Sequence, residues 1–126
     1  MTLKSLPVVI AILLACHLYA DTPLDAIDPM SIRQLHEEID VQLDDKYKAL
    51  LSAYKKSKDK SLESDLIKSQ NAWELYRDAQ CALVDRSDTK PTIDQGKYTQ
   101  TYVTLSVARI NFIESALATE AKSERK

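Results

Sequence analysis

The stretch SQNAWELYRDAQC, residues 69–81, holds the chain's only tryptophan and the second of its two cysteines. On an α-helix Gln70, Trp73 and Arg77 fall at i, i+3 and i+7, hence on one side, with Tyr76 beside them. A buried Trp73 would cost about 3–5 kcal/mol to truncate. Its indole N–H, the Gln70 amide and the Arg77 guanidinium all then need partners. Arg77 can meet a carboxylate on another helix or stack on Trp73. The stretch therefore reads as a polar-rimmed lock between helices. The alternative is a surface that binds a partner directly.

Working outward, Ser61 can cap this helix, whose stripe passes through Leu62, Leu66, Ser69, Trp73, Tyr76 and Leu83. Ala72, Leu75, Ala79 and Ala82 widen the apolar face, so the second half is expected to be buried on more than one side. Upstream, KKSKDKS (55–61) has no apolar residue and reads as a solvated connection. Before it, Ile32, Leu35, Ile39, Leu43, Tyr47, Leu50 and Tyr54 recur every three or four residues, opposite the charged Glu37, Asp44, Lys48 and Lys55. That predicts an amphipathic helix to about Lys56, with Asp28 as N-cap and Pro29 at the first helical position.

Downstream, DRSDTKPTIDQGK (85–97) gathers Pro91, the single glycine Gly96 and several turn formers, and predicts the longest loop. A final segment then carries Tyr98, Tyr102, Leu105, Arg109, Ile113 and Leu117 at helical spacing, with Val103, Val107, Ile110 and Ala121 alongside. Its opening, KYTQTYVTL, has strand propensity. Helix is preferred, because the spacing continues unbroken and no second strand exists to pair with it. The expected fold is all-α, a small antiparallel bundle of three principal helices.

The N-terminus is set apart from that bundle. MTLKSLPVVIAILLACHLYA has one early positive charge, Lys4, followed by an apolar run from Leu6 to Ala15, the pattern of a signal peptide over residues 1–20. Three fates are open: cleavage after Ala20, giving a periplasmic or secreted protein; lipidation at Cys16, where LLAC resembles a lipoprotein box; or an uncleaved anchor. The run is shorter than the roughly 20 residues of a membrane span. Residues 21–30 form an extended proline-containing segment, and 31–126 the helical domain.

Removing residues 1–20 takes Lys4 and no acid, so 16 basic groups face 19 acidic ones, a net charge of −3. That balance argues against nucleic acid and mildly favours a basic partner. It also leaves Cys81 alone, unable to form an internal bridge. Cys81 then reads as a small buried hydrophobe, with intermolecular pairing as the alternative.

Candidate chemistry is sparse. His36 is the only histidine after the leader. HEEID (36–40) is similar to the zinc-protease HExxH, but Asp40 stands where the second histidine is needed and no third ligand follows. A Cys81–His36 thiolate pair lacks a third member to orient it. Glu63, Asp65, Glu74 and Asp78 have the spacing of solvent faces, and one glycine makes no phosphate loop. No cofactor, no metal and no enzyme activity is expected.

QNAWELYRDAQC resembles the QxxWxxYRDxxC signature of the lysozyme-inhibitor LprI family of exported bacterial proteins, through Gln70, Trp73, Tyr76, Arg77, Asp78 and Cys81. LDDKYKALL (43–51) resembles that family's LNxxYxxL through Leu43, Tyr47 and Leu50. LSVARINFI (105–113) resembles its LTxxRxxxL through Leu105 and Arg109, and conservatively Ser106 and Ile113. Asp44 stands where the family usually has Asn, and the span from Gly96 to Arg109 is shorter than usual. The partner cysteine that the family pattern would supply to Cys81 has no counterpart, since Thr101 and Tyr102 occupy that region. Loss of such a bridge removes about 2–4 kcal/mol. The resemblance implies a non-catalytic envelope protein that occludes the cleft of a lysozyme. A structural or adaptor domain is the alternative.

Overall fold

The computed structural model describes residues 29–84 and 95–126, with side chains over 34–84 and 98–126. These form three helices, α1 (Pro29–Lys56), α2 (Ser61–Val84) and α3 (Gln95–Ser123). The fold is all-α. The chain divides into two compact units, Met1–Leu35 and His36–Lys126. Of the first, only the opening turns of α1 are described; the second contains the packing that follows. The leader, Cys16, the Asp28 cap, the Ile32 side chain and residues 85–94 of the loop lie outside the described residues.

Helix α1 opens at Pro29, the position where a fixed φ and a missing N–H cost nothing. It ends with Lys55 and Lys56 in its last turn, where positive charge suits the helix dipole. Residues 57–60 connect it to α2. Here the structure differs from the expected cap: Asp59, not Ser61, is the acceptor, taking the Ser61 backbone N–H at 3.0 Å and its hydroxyl at 2.8 Å. A carboxylate accepting two donors is the stronger cap, and these bonds hold the Asp59 carboxyl below its usual range. The β-branched opening of α3 is helical, as its unbroken spacing requires.

Contacts fix the directions of the helices. From Cys81 to Gln70, α2 meets α3 at Tyr98, Tyr102 and then Arg109, so the two run antiparallel. His36 and Lys46 of α1 meet Tyr102 and Glu114, so α1 runs with α3. The result is an up-down-up bundle. Its core joins Ile39, Leu43 and Leu50 of α1, Leu66 and Cys81 of α2, and Tyr102, Val103, Val107, Ile110 and Ile113 of α3. Ala121, expected alongside the α3 stripe, is exposed because it lies beyond the end of that core.

Helix α2 departs most from expectation. Ser69, Ala72, Leu75, Tyr76, Ala79, Ala82 and Leu83 are exposed, so its second half is not buried on two sides. The inward line instead runs Leu62, Leu66, Gln70, Trp73, Arg77, Cys81 and Val84, all buried or half-buried. Steps of three and four residues keep that line on one face. The phase is set by the polar residues Gln70 and Arg77, which find partners on α3.

Candidate functional site

The inward face of α2 presents alternating polar and aromatic groups to α3. Arg109 sits at the middle of α3, 8% exposed. Its Nε donates to Gln70 Oε1 and its Nη2 to Ser69 Oγ, each at 3.0 Å. Gln70 is oriented in turn by its Nε2, which donates to Glu74 Oε1 at 3.1 Å, one helical turn on. Burial lowers the Arg109 pKa and the nearby Glu74 charge opposes that shift, so the guanidinium stays charged at any ordinary pH. A buried charge of this kind persists only when its donors are satisfied.

Trp73 lies half-buried between two guanidiniums. The Arg77 Cζ is 4.9 Å from its ring centroid and the Arg109 Cζ 5.8 Å. Arg109 also lies 5.2 Å from the Phe112 ring. Arg77 reaches on to Tyr102 of α3, 4.3 Å from that centroid, while its Nε donates to Asp78 Oδ1 at 3.1 Å. Each cation–π contact is worth about 0.5–2 kcal/mol depending on desolvation. The sequence left open whether Arg77 meets a carboxylate on another helix or stacks on Trp73. It stacks, and its carboxylate comes from the next residue.

The same chain of contacts continues into α1. Tyr102 stacks on His36 with centroids 4.3 Å apart and rings 14° from parallel, and its hydroxyl donates to Asp40 Oδ1. Tyr98 stacks more distantly on both rings. Burial, reinforced by the hydrogen bond to Asp40, pushes the Tyr102 phenol well above its ordinary range. Burial lowers the His36 pKa; Asp40 opposes that shift and Arg77 adds to it. The His36 Nε2 is buried with no hydrogen-bond partner among the described residues. His36 is partly exposed, as expected, but its ring belongs to the seam.

Of the other motif residues, Leu43 is buried and Tyr47 half-buried on α1. Cys81 is fully buried, its Sγ 3.9 Å from the Tyr98 carbonyl oxygen. Burial raises its pKa, leaving a thiol rather than a thiolate at neutral pH. Tyr76 and Asp78 do not join the cluster: Tyr76 projects outward and Asp78 meets it only through Arg77. No group of three or more His, Cys, Asp or Glu side chains among the described residues could hold a metal ion.

Sequence reasoning passed over Ser69 as an acceptor, the Asp40–Tyr102 bond and the His36 stack. One signal was available. His36 with Asp40, and Tyr98 with Tyr102, are each i,i+4 pairs on helices that run side by side.

The family model for the lysozyme inhibitor LprI matches residues 30–113. This chain belongs to the lysozyme inhibitor LprI family. The LprI match begins in the first turn of α1 and ends at Ile113, so it takes in Leu43, Tyr47, the whole of α2 and Arg109. The matched span therefore contains both sides of the Gln70–Arg109 contact. Neither a curated protein nor a solved structure matches the chain.

Proposed function

We propose that this LprI-family chain is a cell-envelope protein that binds a lysozyme and blocks it by occupying its cleft, with no chemistry of its own. The observation that carries this reading is the LprI match over 30–113. Gln70, Trp73, Arg77, Cys81, Leu43, Tyr47 and Arg109 have a structural role in it, holding α1, α2 and α3 together. Inhibition then belongs to residues outside the lock. The net charge of −3 left once residues 1–20 are removed, 16 basic groups against 19 acidic, supports attraction to a basic glycosidase whose catalytic carboxylates lie in an open cleft.

Residues 1–20 act as an export leader, 21–30 as an extended lead-in and 31–126 as the working domain, with either cleavage after Ala20 or a lipid anchor at Cys16. No helix among the described residues is long and apolar enough to cross a membrane. Mass spectrometry of the exported N-terminus distinguishes the two fates. The decisive assay titrates purified protein into a lysozyme cell-wall hydrolysis reaction; full activity at large molar excess would sink the proposal. An adaptor domain without inhibition is the second reading, in which the exposed apolar side of α2 holds an envelope protein other than a lysozyme.

A further inference from the structure

Several of the residues that sequence patterning assigns to the interior of α2 line its outer side. Ala72, Leu75, Ala79 and Leu83 recur at steps of three and four, with Tyr76 and Ala82 at the two edges of the row. Leu75 is 74% exposed, Tyr76 52% and Leu83 60%. They lie across the helix from Leu66, Gln70, Trp73, Arg77 and Cys81, which face α3. Single exposed apolar residues are ordinary, whereas a contiguous row at the solvent boundary marks a contact surface.

One border of this row is acidic. Asn71, Glu74 and Asp78 form the adjoining line on α2, at i, i+3 and i+7, and Asp65 lies toward its N-terminal end. Between Asp65 and Leu83 the exposed residues include one base, Lys68, because Arg77 is turned inward against Trp73 and Tyr102. Charge then selects among occupants. A second copy packed antiparallel across a twofold axis would set the Glu74–Asp78 line against its own equivalent, which costs like-charge repulsion. A protein with a positive rim around an apolar patch meets no such penalty.

We infer that this outer face of α2 is the docking surface for a cationic lysozyme, with Leu75 and Leu83 as its apolar contacts and Glu74 and Asp78 at the rim. The inference rests on the proposed function and assigns it a place on the molecule. Leu75 and Leu83 are the most exposed large side chains of the row, so substitutions there test contact with little disturbance of the fold.

The test measures the affinity of the purified protein for a lysozyme by calorimetry, alongside circular dichroism melting curves. Leu75→Glu combined with Leu83→Glu is expected to weaken binding by at least about tenfold while the melting temperature holds. The pair adds negative charge, so loss of affinity would show apolar contact rather than general attraction. Val41→Glu, at a 60% exposed position on α1, is expected to leave affinity unchanged. Asp78→Asn should flatten the salt dependence of binding. Wild-type binding that survives the double substitution would overturn the docking face and leave the proposed function standing. Absence of wild-type binding would remove both. Concentration-dependent dimers in sedimentation, lost on Leu75→Glu, would overturn the inference in favour of a second copy.

Discussion

Arg109 of α3 donates through Nε to the side-chain oxygen of Gln70 in α2 at 3.0 Å, joining two of the family's sequence blocks by one charge-assisted bond. Removing the acceptor leaves a buried guanidinium short of a partner. Gln70→Ala is expected to lower unfolding free energy by about 1.5–3 kcal/mol, read from the urea midpoint. Arg109→Lys should not rescue the lock, because an ammonium cannot reproduce the fork that reaches both Gln70 and Ser69. A double-mutant cycle between Gln70→Ala and Arg109→Ala that adds without coupling would show the bond to be energetically idle.

Trp73 is half-buried and flanked by Arg77 and Arg109. Trp73→Ala is expected to destabilise by about 2–4 kcal/mol, at or below the range for fully buried rings because part of the indole stays wet. Thermal melting by circular dichroism checks it. Unchanged melting together with lost partner binding would reassign Trp73 to the interface.

His36 gives the stability a pH dependence of definite sign. Its folded pKa lies below the ordinary 6.5, so the folded state favours neutral imidazole. The contribution is complete above about pH 6.5 and declines as pH falls from there through the lowered folded value. The groups facing the ring are Asp40 on α1, Arg77 on α2, and Tyr98 and Tyr102 on α3. The stability gap between wild type and His36→Gln should therefore shrink between pH 7.5 and pH 5. A gap that widens on acidification would reverse the sign and make Asp40 dominant.

Cys81 is fully enclosed and its thiol is pushed upward by burial. A thiol-specific chromogenic reagent is expected to react with it only at the rate of unfolding, and non-reducing gels should show no dimer through this residue. Immediate stoichiometric labelling of the folded protein at position 81 would contradict the packing.

The helices and the α1 stripe were legible because Ile39, Leu43 and Leu50 obey the rule that apolar spacing marks the inward face. The opening of α3 was legible for a related reason: its apolar spacing runs unbroken into the rest of the helix, and no strand stands among the described residues to pair with it. The phase of α2 was not. Hydropathy ranks Leu75 and Leu83 above Gln70 and Arg77, yet the polar pair goes inward because Arg109 of α3 is there to receive Gln70 and Tyr102 of α3 to receive Arg77. That reception is a property of two helices at once, and no local pattern encodes it. The Asp40–Tyr102 bond spans 62 residues and was invisible for the same reason.

The fork of Arg109 also sets the axial alignment of the pair it joins. A seam of leucines and valines can slide by one turn, about 5.4 Å, and still find grease to bury. With Gln70 and Ser69 as acceptors side by side on α2, the same slip would strand a positive charge away from water. In a bundle with no disulfide among the described residues, the Arg109 guanidinium thus serves as a ratchet between α2 and α3 that admits one alignment and rejects its neighbours.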